Sequence, residues 1–347
     1  MERDRLIHFD LLRIVACFSV VMLHSAAQSW YGLPVTSKEW LVINSYDALV
    51  RFGVPVFVMI SGALFLDNKK EINIKKLYTR NIWRLIVLYL VWSVIYGFWD
   101  CRANWSVIHI GDILREIFAS QYHFWYLPMS VGLYMLVPVL QKWLSAASKK
   151  EVEYFLGLFV VFQIVQTTMK SIKMTEFMAF LWGTVDIEMA CSYIGYFILG
   201  YYVVHYGIDR KIHKWLYLAG GVGAVANVVL GNYLAVKAGT PVGTVYDSFG
   251  IFTFGIVLAL FVFFHEKVSQ IRFGKISGKI IREVSADTLG IYLMHVGIMG
   301  YLNDYDIDSM MFAPVVGVPL LTVICFVLCF LLAAVLRRIP FVGRYLC

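Results

Sequence analysis

The stretch that decides the architecture is HFDLLRIVACFSVVMLHS, residues 8–25. It reads as a membrane-spanning helix interrupted by Asp10, Arg13 and His24. Ionisable side chains are costly in hydrocarbon, so within a span they mark a functional site by default. At about 3.6 residues per turn, Arg13 and His24 fall within about 20° of one another. Asp10 lies about 60° from Arg13 on the same side. One helix face is thus expected to carry an acid, a guanidinium near the helix start and an imidazole deeper in. An ordinary structural account makes Asp10 and Arg13 an interfacial ion pair and His24 a packing residue. That account leaves the coincidence of three such groups on one face unexplained. Imidazole titrates near working pH, which suits His24 to the role of general base.

The rest of the chain continues the apolar pattern. Of 347 residues, 60% are hydrophobic and 15% charged, and the mean hydropathy is +0.72. Soluble domains carry about a quarter charged residues. The fold class is therefore all-α: a polytopic integral-membrane helical bundle of about ten transmembrane helices. Spans are expected at roughly 6–28, 46–66, 81–101, 124–144, 152–169, 188–206, 215–235, 247–265, 286–303 and 312–336. They leave no room for a separate soluble domain, so residues 1–347 read as one integral-membrane domain. The net charge of +7 raises the possibility of a nucleic-acid partner. With the N-terminus inside, however, most Lys and Arg fall in inner loops, as the positive-inside rule requires. The basic excess is a topology signal, not a nucleic-acid surface. It places both termini in the cytoplasm and the chain, multi-pass, in the cytoplasmic (inner) cell membrane. Cys17, Cys101, Cys191, Cys325, Cys329 and Cys347 form no CxxC pair, so neither a disulfide nor a metal site is expected. Small residues at 25–27 fit a signal-peptide cleavage site, but Asp10 and Arg13 disfigure the apolar region such a signal needs.

Four further motifs stand out. Arg80 and Arg84 are spaced i,i+4 at the inner end of the third span. They read equally as topology charges or as a phosphate clamp. In RFGVPVFVMISGALF, residues 51–65, Gly53, Pro55 and Gly62 disturb a span; Arg51 lies one turn from Asp47, and Ser61 with Gly62 suits close helix approach. HFWYLPMSVGLYMLVPVL, 123–140, opens with His123, Trp125 and Tyr126, which suit either an interfacial aromatic belt or the lining of an acceptor site. TLGIYLMH, 288–295, places His295 near mid-membrane, where a second histidine needs a polar interior.

In order along the chain, FDLLRIVACFSVVMLH (9–24), FGVPVFVMISGALF (52–65), Arg80/Arg84 followed by LIVLYLVW (85–92), HFWYLPMSVGLYMLVPVL, LGIYLMH (289–295) and RRIPFVGRYL (337–346) resemble membrane-bound acyltransferase family 3. The subgroup most resembled is the compact, WecH-like O-acetyltransferases without a fused soluble domain. The resemblance implies an enzyme that takes an acyl group, usually acetyl, from cytoplasmic acyl-CoA. It implies delivery to a hydroxyl of a cell-envelope glycan or its lipid-linked precursor. Acetyl-CoA is then the co-substrate, and no metal is implied. His24 is implied as the catalytic residue, with Arg13, Arg80 and Arg84 serving the acyl donor. Beside the resemblance, the residues suggest Asp10 as the orienting partner of Arg13. They also suggest His123, Trp125, Tyr126, Arg51, Ser61 and His295 as substrate-binding candidates. Polar span faces and Pro/Gly-broken helices would equally suit a transporter of a small solute such as an amino acid. That alternative is strengthened by relatives fused to a serine racemase.

Overall fold

Apolar runs bounded by caps, glycines and prolines become helices throughout. The computed structural model describes residues 7–67, 72–101, 111, 121–171, 188–340 and 343. Twelve helices carry the architecture: α1 Ile7–Ala27, α2 Lys38–Val50, α3 Gly53–Phe65, α4 Trp83–Asp100, α5 Tyr126–Ala146, α6 Lys149–Phe159, α7 Glu188–Tyr206, α8 Arg210–Ala238, α9 Ile251–Glu266, α10 Lys275–Ala286, α11 Thr288–Asn303 and α12 Pro314–Arg338. Eight helical stretches among the described residues are long and apolar enough to cross a membrane. The architecture is an all-α polytopic bundle. Two expected spans, 188–206 and 286–303, coincide with α7 and α11 and are not among those eight. α11 has 16 residues, fewer than the roughly 20 a bilayer core requires. α7 departs from helical backbone at Ser192, which shortens its regular part.

Local chemistry sets the boundaries. Ser37 caps α2 by accepting from the Trp40 amide at 3.1 Å. Ser148 and Glu151 form a reciprocal capping box that starts α6, satisfying two amides that a bare helix end leaves open. The expected second span, 46–66, instead begins at Lys38 and is broken between α2 and α3 at Arg51 and Phe52. Pro55 lacks the N–H that would bond the Arg51 carbonyl. The expected inner loop 266–285 contains the helix α10. It buries Gly278 and Ser285 and exposes Ile276 and Ile280. A π-helical turn, Leu77–Ile82, precedes α4. Lys69, Lys70, Arg102, Arg115, Lys173 and Cys347 lie outside the described residues. Cys17, Cys101, Cys325 and Cys329 are free and buried.

α1 runs through the middle of the bundle and contacts α2, α3, α10, α11 and α12. The closest crossing joins α3 to α7. A Cβ on Gly62 would overlap the Phe197 carbonyl, and one on Gly200 would overlap the Met59 carbonyl. The two backbones therefore touch, and only glycine fits at the crossing. Outward faces are apolar: α8 exposes Val222, Val225 and Val229, and α12 exposes Val327, Leu331 and Val335. Such stripes are unfavourable against water and suit lipid tails.

Candidate functional site

α1 borders two cavities. The first, about 570 Å³, takes in His24 together with Trp30, Tyr31, Asp47, Arg51 and Tyr122. The second, about 200 Å³, takes in Arg13 together with Ser61, Tyr126, Ser130, Tyr134 and Thr288. Val20, Val54 and Tyr292 line both. Val20 lies one helical turn from His24. The two spaces therefore share a wall beside that imidazole.

Three histidines from three separate elements gather there. The His24 ring centroid is 5.0 Å from that of His295 and 6.2 Å from that of His123. His123 and His295 are 5.1 Å apart. Tyr122 Oη is hydrogen-bonded to His24 Nδ1 at 3.2 Å. His295 is fully buried; its Nδ1 donates to the Tyr292 carbonyl at 2.6 Å. That contact puts the proton on Nδ1 and the lone pair on Nε2, and Nε2 has no hydrogen-bond partner among the described residues. The turn carrying His123, Tyr122–Trp125, is held by Tyr292, whose hydroxyl donates to the His123 carbonyl.

Tyr96 of α4 fixes α11 at the same level. Its hydroxyl accepts from the Gly297 amide at 2.8 Å and donates to the Leu293 carbonyl at 2.9 Å. Those two groups would pair with each other in a regular α-helix. The tyrosine thus ties α4 to the turn of α11 that carries His295.

Asp47 and Arg51 face the His24 cavity from the broken span. Arg51 Nη2 donates to Asp47 Oδ2 at 2.6 Å. Asp47 Oδ1 and Arg51 Nε, both buried, are without partners among the described residues. The Arg51 guanidinium lies over the Tyr246 ring, 5.3 Å from its centroid. The break at Pro55 thus keeps a charged pair open toward the cavity rather than packed within a straight helix.

Sequence-expected site residues divide between the two spaces. His24, His123, Trp125 and Arg51 line the first, with His295 packed against the histidines. Arg13, Ser61 and Tyr126 line the second. Tyr126 is therefore placed on the Arg13 side and not beside His123 in one acceptor wall. Asp10 lines neither cavity. Its Oδ1 accepts from Arg13 Nη1 at 3.3 Å and from Ser285 Oγ at 2.8 Å, tying α1 to α10. It sits about 21 Å along α1 from His24, so it is a partner of Arg13 and not of the histidine. Arg80 and Arg84 are exposed and line neither cavity. Arg84, like Arg13, interacts electrostatically with Tyr134 of the second cavity. Tyr122, Tyr96 and Tyr292 were not singled out from sequence, because tyrosine in an apolar aromatic segment is ordinary there.

No metal-holding group of three or more His, Cys, Asp or Glu side chains occurs among the described residues. A family model described as an acyltransferase domain matches residues 6–336. Comparison with curated proteins and with solved structures gives no match.

Proposed function

The chain belongs to acyltransferase family 3, and on that premise we propose that it moves an acetyl group from cytoplasmic acyl-CoA to a hydroxyl of a cell-envelope glycan or its lipid-linked precursor, in the cytoplasmic membrane. As a member of the family it is a membrane acyltransferase. The observation that carries this reading is the pair of cavities meeting beside His24 at Val20, Val54 and Tyr292. A donor and an acceptor arriving from opposite sides need one reaction centre reachable from both.

The Arg13 cavity suits the donor's arm. It combines apolar walls, such as Leu85 and Phe57, with the hydroxyls of Ser61, Ser130 and Tyr134, which can hydrogen-bond amides. Arg13 lines it and Arg84 directly precedes its wall residue Leu85 in the chain; guanidinium groups pair favourably with phosphate. Arg80 belongs to the same basic approach, on the exposed π-helical turn. The His24 cavity suits a sugar. Trp30, Tyr31 and Trp125 offer flat apolar faces, and Asp47 and Asp247 offer hydroxyl acceptors.

In this reading His24 Nδ1–H donates to Tyr122 Oη, which leaves the Nε2 lone pair as the base. The acceptor oxygen attacks the thioester carbonyl as its proton passes to Nε2. The tetrahedral intermediate collapses with cleavage of the C–S bond. The imidazolium returns its proton to the departing thiolate, so coenzyme A leaves as the free thiol. Arg51 is the cation that lies within electrostatic reach of His24 and is placed to offset the oxyanion.

The test is transfer of label from radiolabelled acetyl-CoA to an envelope glycan fraction by purified, vesicle-reconstituted protein. His24→Ala and His24→Gln should each lower transfer by about 100-fold or more while the protein still inserts and keeps its melting behaviour. A folded His24→Ala protein that retains most of the activity overturns the general-base role.

A further inference from the structure

A further polar cavity lies away from both spaces around α1. About 300 Å³ in volume, it is walled by Arg210, His213 and Lys214 of α8, by Glu266 at the end of α9 and by Lys267 and Gln270 just past it. Three full cations face one carboxylate. Among the described residues no ion pair forms with Arg210, Lys214 or Lys267. Trp215 is exposed beside this cavity, with Lys214 Nζ 5.0 Å from its ring centroid. An exposed tryptophan beside a lysine is the pairing that marks the headgroup level of a bilayer.

The basic cavity opens onto an apolar groove of about 580 Å³ between α8 and α9, with Tyr217 and Lys267 lining both. Arg210, Lys214, Tyr217 and Gly221 recur at helical spacing and so share one side of α8. The groove exists because glycines replace side chains. At Gly220 the helices meet, and a Cβ there would lie 2.6 Å from the Ala259 Cβ. At Gly221 a Cβ would meet nothing within 4 Å, leaving a furrow that runs along Leu260 and Phe263. The Tyr217 hydroxyl, at the junction of cavity and groove, is buried and has no partner among the described residues.

We propose that this site holds one anionic phospholipid of the cytoplasmic leaflet. The phosphate sits among Arg210, Lys214 and Lys267. One headgroup or ester oxygen accepts from Tyr217 Oη, and an acyl chain lies in the furrow past Gly221. Charge complementarity selects the headgroup, since a basic pocket between membrane helices on the cytoplasmic side favours acidic lipid. The continuous apolar furrow selects a lipid over a soluble phosphate, because only a lipid satisfies both halves. The site shares no lining residue with the two cavities around α1, so its existence does not depend on the acyl-transfer mechanism.

The experiment is native mass spectrometry of the intact protein released from nanodiscs of phosphatidylcholine containing phosphatidylglycerol. A parallel measurement follows the melting temperature in detergent with phosphatidylglycerol, phosphatidylcholine or inorganic phosphate added. The expected result is retained phosphatidylglycerol, preferred over phosphatidylcholine by about tenfold or more. Arg210→Ala/Lys214→Ala/Lys267→Ala should bring that preference to within about twofold. Gly221→Leu, whose Cβ enters open space, should lower occupancy by either lipid without lowering the unliganded melting temperature. Retained preference in the triple variant overturns the proposal. So does equal stabilisation by inorganic phosphate.

Discussion

At the scale of single residues, the active-site reading turns on side chains that hold other side chains. His24 and His295 announce themselves in the sequence as ionisable groups in apolar runs. The groups that orient them are neutral tyrosines and carry no such signal. Tyr96 is the clearest case, since its hydroxyl bonds both the Leu293 carbonyl and the Gly297 amide on the turn that carries His295. Tyr96→Phe keeps the ring and removes the bridge. It should cost about 1 kcal/mol of stability, the worth of an ordinary hydrogen bond. It should also lower kcat more than it raises the acceptor KM, because the turn carrying His295 loses its tie to α4. A Tyr96→Phe enzyme with parental kcat and melting temperature would show that the bridge positions nothing. Asp10 illustrates the converse. Its helical spacing placed it on the face of Arg13, and the pair does form. Periodicity says nothing about distance along the axis, and that distance separates Asp10 from His24.

At the scale of elements, the apolar runs were legible and their interruptions only in part. Pro55 marked a disturbed span, yet nothing in the apolar pattern starts that span at Lys38, because α2 carries polar residues that it buries against α1 and α8. Asn44 is one of these. It is fully buried and satisfied by Trp30 Nε1 and Tyr246 Oη as donors and by Asn232 as acceptor. Those three partners come from three separate chain segments, which no local pattern encodes. The π-helical turns at Leu77–Ile82 and Val160–Val165 were likewise invisible. Glycine spacing was more informative, because Gly62 was expected at a close approach and the α3–α7 crossing supplies it. Gly62→Ala should destabilise the folded protein by about 1–3 kcal/mol, since a methyl group would have to displace the Phe197 carbonyl. Gly221→Ala, into open space, should change stability by no more than about 1 kcal/mol. Thermal unfolding of both variants in one detergent checks the contrast, and equal losses would mean that the crossing is looser than its backbone contacts require.

At the scale of the whole molecule, membrane insertion and function make opposite demands. Insertion favours a dry apolar bundle, whereas acyl transfer favours a polar path through it. The chain reconciles them by confining the polar groups to cavity walls around α1 and leaving apolar stripes on α8 and α12 outside. Neither cavity could be read from sequence, because each is assembled from helices far apart in the chain. Two-sided access is therefore the most exposed consequence of the proposed function, and it can be tested without knowing the acceptor. Ser61→Cys places a thiol in the Arg13 cavity, and Thr244→Cys places one in the His24 cavity. The parent's described thiols at Cys17, Cys101, Cys325 and Cys329 are buried, so the unsubstituted chain provides the background. In oriented vesicles a membrane-impermeant maleimide should label Ser61→Cys only from the cytoplasmic face and Thr244→Cys only from the opposite face. Acetyl-CoA should slow the first reaction and leave the second unchanged. Labelling of both thiols from one side would mean that the two cavities open the same way, and a donor and an acceptor could then no longer be assigned to opposite faces of the membrane.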